Sequence, residues 1–265
     1  MDPERTVAFA NQKGGVGKTT TLVNLSAALA ERGYYPVLID LDPQANLTTG
    51  VGIDPDVLGF STVDLLMDED VRLSDILLPC SLPGVKIAPA RQELANFDIR
   101  MADRQGREGI LSQLLQDNLE DCDFVFVDCP PSLNLLTVNA LTAVGWVLIP
   151  VQCYYYSLNG LNALTRTIGD IQEVYNPDLR VLGVLATAYE TGTRVAQGVK
   201  GELEERFGGL VFDTVIRKSV RVAEAPLYGR SLLQYSPSHD VSHAYRSLAG
   251  EFLERMAWGQ ALPGA

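Results

Sequence analysis

Short apolar runs rich in β-branched and aromatic residues recur along this 265-residue chain, and most stretches between them carry the three-to-four spacing of a helix with one buried face. Residues 7–10 predict a first strand. Leu22, Leu25 and Leu29 then mark a helix that Gly33 ends, and residues 37–42 predict a second strand, apolar until Asp40 and Asp42. Runs at 85–88, 124–127, 146–151, 181–186 and 211–216 predict further strands, and segments at 62–67, 110–119, 158–175, 195–207 and 241–258 predict helices. A strand apolar on both faces needs cover on both sides. The alternation therefore predicts an α/β fold, a doubly wound, mostly parallel sheet with helices on both faces. Residues 43–60, 89–109 and 187–194 are rich in turn formers or charge and read as loops or short irregular helices. No composition shift divides the chain, so residues 1–265 are expected to form one domain, with 259–265 as a frayed tail.

Composition narrows the class. With 46% hydrophobic and 20% charged residues the chain reads as globular, and its apolar runs are too short to cross a bilayer. The acidic opening Met1-Asp2-Pro3-Glu4 is unlike a signal peptide, so a cytoplasmic location is expected. Cys80, Cys122, Cys129 and Cys153 show no metal-ligand spacing, His239 and His243 are the only histidines, and the cysteines read as small buried or partly buried thiols.

The chemistry concentrates after the first strand. Residues 11–20 read Asn-Gln-Lys-Gly-Gly-Val-Gly-Lys-Thr-Thr, a phosphate-binding loop with one lysine more than the motif requires. Gly14, Gly15 and Gly17 lack a Cβ, so with Val16 and Thr20 they let backbone N–H groups approach phosphate oxygens. Lys18 is expected on the β- and γ-phosphates and Thr19 on Mg²⁺, with the helix N-terminus facing the anion. The extra Lys13 marks a deviant Walker A loop. It stands where it could reach a nucleotide held by a facing copy, which predicts a nucleotide sandwich dimer; the alternative is a solvated surface lysine.

Three carboxylates end apolar strands and should meet this loop, because ligands of open α/β sheets collect at strand carboxyl ends. Asp128 has the form of a Walker B residue holding Mg²⁺. Asp42 is the candidate for positioning the attacking water, and Asp40, two residues earlier on the same face, would support magnesium or order the loop. Pro130-Pro131 stiffens the turn after Asp128, as suits a segment that senses the γ-phosphate. The net charge is −12, yet residues 194–230 hold seven basic side chains (Arg194, Lys200, Arg206, Arg217, Lys218, Arg221 and Arg230) against five acidic ones. That local surplus suits a nucleic-acid surface.

Together, Lys-Gly-Gly-Val-Gly-Lys-Thr-Thr at 13–20, Asp-Leu-Asp-Pro-Gln at 40–44, Asp-Cys-Pro-Pro-Ser at 128–132, Pro-Val-Gln at 150–152 and Ala-Glu-Ala-Pro at 223–226 resemble the ParA/Soj partition ATPases, in order and over nearly the whole chain. The resemblance implies ATP-dependent homodimerisation with Lys13 crossing to the partner's nucleotide, non-specific binding of double-stranded DNA by the dimer, and hydrolysis stimulated by a ParB-type protein on the nucleoid. It assigns Asp42 to hydrolysis and Arg194 and Arg221 to DNA, beside Lys200, Arg217 and Lys218 of the basic segment. The chain looks like the short, Soj-like form. It departs from the family at Arg217-Lys218-Ser219, where relatives usually show Pro-Arg-Asn on the adenine side. Rival readings are a MinD-type membrane-cycling ATPase acting through the 241–258 helix, a cargo-positioning relative, and an iron–sulfur reductase built around Cys129. The mixed charges of the 241–258 helix favour packing on the core.

Overall fold

The computed structural model describes residues 2–116, 122–154 and 159–261. In chain order, β1 (Thr6–Phe9) leads to α1 (Lys18–Ala30), β2 (Val37–Asp40), α2 (Asn46–Gly50), α3 (Thr62–Met67), α4 (Leu73–Ile76), β3 (Leu78–Pro79), β4 (Lys86–Ala88), α5 (Phe97–Arg100) and α6 (Ile110–Leu114). There follow β5 (Val125–Asp128), α7 (Leu135–Ala143), β6 (Trp146–Gln152), α8 (Asn159–Val174), β7 (Arg180–Thr187), α9 (Arg194–Phe207), α10 (Val220–Glu224), α11 (Leu232–Tyr235) and α12 (Asp240–Ala261).

The strands form one sheet in the order β3-β4-β2-β5-β1-β6-β7, parallel throughout except for β3. The predicted alternation of strands and helices is borne out, and the side-chain period of two explains it. Val7 and Phe9 point into a layer with Leu22, Leu25 and Leu29 of α1 and Tyr245, Leu248 and Phe252 of α12. Ala8 faces the opposite layer, with Leu136 and Ala140 of α7 and Leu161 and Leu164 of α8. On the α1/α12 side, Phe126 meets Phe9 at 5.3 Å and Phe252 at 5.6 Å, both edge to face, the geometry that aromatic quadrupoles favour.

Several predicted elements differ from those observed. Residues 211–216 are not a strand. Phe212 N–H and Ile216 N–H donate to the β7 carbonyls of Val184 and Ala186, but between them the donors of Asp213 and Thr214 are taken by the Glu251 carboxylate at 2.9 and 3.1 Å. Arg255 donates to the carbonyls of Leu182, Leu210 and Val211, so side chains from α12 occupy the groups a ladder would use. Helix α7 escaped prediction because Leu-Leu-Thr-Val-Asn-Ala-Leu-Thr-Ala is apolar nearly all round and lacks a polar stripe. The stretches at 43–60 and 89–109, read as loops or short irregular helices, hold the short helices α2 and α5, as expected. Helix α6 ends at Leu114, and the predicted continuation over 117–119 lies outside the described residues. Helix α12 runs on to Ala261, while 262–265 of the expected frayed tail lie outside the described residues.

Gly183, inside β7, lies against Arg255 of α12 and the 210–212 segment. A Cβ there would lie 2.5 Å from Phe212 Cε2, 2.7 Å from Arg255 Nη1 and 2.9 Å from the Leu210 carbonyl oxygen. Gly183→Ala is expected to lower stability by about 1–3 kcal/mol through overpacking, measured by urea denaturation.

Candidate nucleotide site

The loop between β1 and α1 is fixed by the neighbouring strands. Asn11 accepts from Lys13 N–H at 3.0 Å and donates to the Pro150 carbonyl at 2.7 Å. Gln152, at the end of β6, donates to the Gly15 carbonyl, and Thr187, at the end of β7, donates to the Val16 carbonyl at 2.7 Å. Gly15 and Gly17 take positive φ of 72° and 91°, and Gly17 caps α1. With its carbonyls tied back to β6 and β7, this left-handed backbone forms a nest for an anion at the start of a helix. Val16 and Lys18 are buried, Gly14 and Gly15 are exposed, and Lys13, Thr19 and Thr20 are half-buried. Thr20 and Gly17 also line a cavity of about 160 Å³ together with Ile216, Lys218 and Ser219. The 217–219 departure from the family pattern therefore lies beside the phosphate loop.

The sheet register brings the carboxylates together. β1 crosses to β2 over the position of β5, so β5 lies between them, with Asp40 and Phe9 both paired in register with Asp128. Asp40 and Asp128 are wholly buried and Asp42 nearly so. Thr19 Oγ1 donates to Asp128 Oδ2 at 2.6 Å, while Asp128 Oδ1 is buried with no partner among the described residues. Asp40 is already engaged. Its Oδ1 accepts from Asp42 N–H at 3.1 Å, and its Oδ2 accepts from the N–H and hydroxyl of Thr48 at 2.9 and 2.7 Å. Asp42 Oδ1 accepts from Gln44 N–H at 3.0 Å.

Burial dominates the electrostatics. Desolvation pushes Asp40 up to about 7 against the opposing bonds from Thr48, and pushes Asp128 well up with help from the Asp40 charge. Asp42 is raised by burial and drawn back by Gln44 N–H and the Lys18 ammonium. A buried carboxylate oxygen without a partner, beside a second buried carboxylate, is a donor set that a divalent cation would neutralise. Asp128 and Thr19 are the residues that could hold such a cation most directly. Asp40 adds negative charge at the second position.

The basic residues are less free than their sequence suggests. Lys218 pairs with Glu190 at 2.6 Å and sits 5.7 Å from the Tyr154 ring, Arg221 pairs with Glu224 at 2.9 Å, and Lys200 pairs with Glu204. Arg194, which opens α9, and Arg217 are exposed and make no ion pair among the described residues. Backbone bonds between Tyr189 and both Ile216 and Lys218 bring 217–218 beside the loop that leads to Arg194. Sequence reasoning missed the pinning residues Asn11, Thr48 and Thr187. Gln152 had a signal, as the last residue of Pro-Val-Gln.

This fold and loop define a P-loop nucleotide-binding protein of the deviant Walker A kind. Residues 4–181 match the family model described as an AAA domain. The chain is 41% identical to the chromosome partitioning protein ParA of Caulobacter vibrioides, over 96% of both. It is 42% identical to the chromosome-partitioning ATPase Soj of Thermus thermophilus, over 95% of this chain and 96% of that one. The solved structure of cobyrinic acid a,c-diamide synthase from Mycobacterium smegmatis, with bound ADP and magnesium, superposes at a TM-score of 0.84 with 36% identity over 98% of both chains. The chain belongs to the ParA/Soj family of partition ATPases.

The buried carboxylates give a test by pH. Both have folded values raised above the usual 3.8, so the folded state holds their protons more tightly than the unfolded chain. Their contribution to stability is complete below that usual value and is lost as pH rises towards and through the folded values. Without divalent cation, the urea midpoint is expected to fall as pH rises from about 4 to about 7, and Asp128→Asn to flatten that fall.

Proposed function

We propose that this chain is an ATP-driven DNA-segregation switch. It binds ATP with magnesium, closes as a homodimer around two nucleotides, grips double-stranded DNA without sequence preference, and lets go when a ParB-type protein stimulates hydrolysis. The observation that carries this reading is the meeting of Lys18, Thr19, Asp42 and Asp128 at one end of the sheet, in a chain collinear with ParA and Soj relatives.

The residues divide the work by position. The 14–20 backbone cradles the phosphates, Lys18 neutralises the β- and γ-phosphates, and Thr19 with Asp128 holds magnesium, which shields phosphate charge when bound. Asp42 orients the attacking water, since phosphoryl transfer needs alignment more than a strong base. Lys13, at the loop mouth and in no ion pair among the described residues, reaches the nucleotide of the facing subunit. Arg194 and Arg217 supply the free charge for DNA, and dimerisation doubles it. The setting is the cytoplasm, on the nucleoid.

The rival readings have less support. The apolar stripe of α12 that would face a membrane is buried against α1, with Tyr245, Leu248 and Phe252 at 0–1% exposure. Among the described residues, no helix is long and apolar enough to cross a membrane. The Cys129 thiol is wholly buried and pushed far up by burial and by Asp128, the reverse of what a thiolate ligand needs. Positioning of another cargo by the same cycle would use the same site.

Asp42→Ala is expected to form ATP-dependent dimers while turnover falls about a hundredfold, and Lys13→Ala to stay a folded monomer with ATP. Phosphate release and light scattering read the two effects. Parental turnover in Asp42→Ala would remove it from the water-positioning role. Turnover indifferent to DNA and dependent on a carboxylic acid and ammonia would instead point to the amide-forming chemistry in the name of the M. smegmatis relative.

Arg194→Ala should weaken DNA binding evenly across sequences and lower the salt slope by about 1. Lys200→Ala and Arg221→Ala should change affinity less, because their charges are already paired. Fluorescence anisotropy across a salt series checks this order.

A further inference from the structure

The loop that carries Asp42 is held by a contact that no sequence motif announced. Thr48 is wholly buried and joins three separate segments. Its hydroxyl donates to Asp40 Oδ2 at 2.7 Å, its own N–H donates to the same oxygen at 2.9 Å, and its oxygen accepts from Ala90 N–H at 2.9 Å, just beyond β4. The other oxygen of Asp40 accepts from Asp42 N–H, so one carboxylate ties both ends of the 42–48 segment. Between them Ala45 takes a φ of 50°, a left-handed conformation that a residue with a Cβ adopts only when its surroundings impose it.

We infer that Thr48 is a positioning residue for hydrolysis: its hydroxyl clamps the Asp40 carboxylate and the turn after β4 to the Asp42 loop, and so fixes where the Asp42 side chain stands. This rests on the reading of Asp42 as the residue that orients water. The geometry separates this role from nucleotide binding, because Thr48 contacts neither the phosphate loop nor Lys18 among the bonds described. Its loss should therefore act on turnover rather than on affinity. The hydroxyl is required as donor and acceptor at once, which serine can supply and valine cannot.

The test compares Thr48→Val and Thr48→Ser with the parent, measuring ATP turnover, affinity for a fluorescent ATP analogue and the thermal midpoint. Thr48→Val is expected to lower kcat at least about tenfold with affinity within about threefold, and Thr48→Ser to return kcat to within about threefold of the parent. Asn176→Ala, which removes bonds to the carbonyls of Leu141 and Val144 away from the site, gives the effect of lost stability alone. Thr48→Val turnover equal to the parent, or a loss no greater than an equally destabilised Asn176→Ala shows, overturns the proposal and leaves the ATPase reading standing. A parent that does not hydrolyse ATP overturns both. If Thr48→Val does not fold, Thr48→Cys, a weak donor and acceptor, takes its place with the same expected split.

Discussion

Two carboxylates buried side by side are the constraint around which this end of the molecule is organised. Asp40 and Asp128 are register partners on adjacent parallel strands, with no exposure to solvent. An unpaired buried charge costs several kcal/mol, so each must find a donor, a cation or a proton. Their surroundings supply these differently. Asp40 gathers backbone and hydroxyl donors from the 42–48 loop, whereas Asp128 receives one hydroxyl from Thr19 and keeps an oxygen unsatisfied. One carboxylate orders a loop, and its neighbour is left with capacity for a ligand.

That asymmetry couples the phosphate loop to its flanks. Thr19 lies on α1 and contacts Asp128, so β5 and α1 share one hydrogen bond at the site. Beyond Asp128 the chain passes through Pro130-Pro131, where Pro131 Cβ lies 3.8 Å from the point a Cβ on Gly14 would occupy, and Thr137 of α7 donates to the Ser132 carbonyl at 2.6 Å. A change at the phosphate loop therefore has packed neighbours on both sides. Gln152 and Thr187 hold the loop from the other half of the sheet, so the phosphate loop is tied on both of its sides.

The charge beside the phosphate loop follows a similar economy. A chain of net charge −12 cannot offer a broadly positive surface, and here glutamates neutralise Lys200, Lys218 and Arg221 locally. Exposed pairs of this kind contribute little to stability. Arg194 and Arg217 are already free of such partners among the described residues.

The phosphate loop, the strand-end aspartates and the alternation of strands and helices were legible in the sequence because each rests on local chemistry: glycines that permit positive φ, carboxylates that end apolar runs, and hydrophobic periodicity. The helix over residues 135–143 was not, since a segment apolar nearly all round shows no polar stripe. Nor was the loss of the 211–216 strand, which depends on Glu251 and Arg255 reaching in from α12 to take its backbone partners. Residue types and spacing determined which side chains could serve a nucleotide. Tertiary structure decided how they divide that work: only the strand order places β5 between β1 and β2, and only that adjacency makes Asp40 and Asp128 neighbours, hands Asp40 to Thr48, and leaves Asp128 with an oxygen to give.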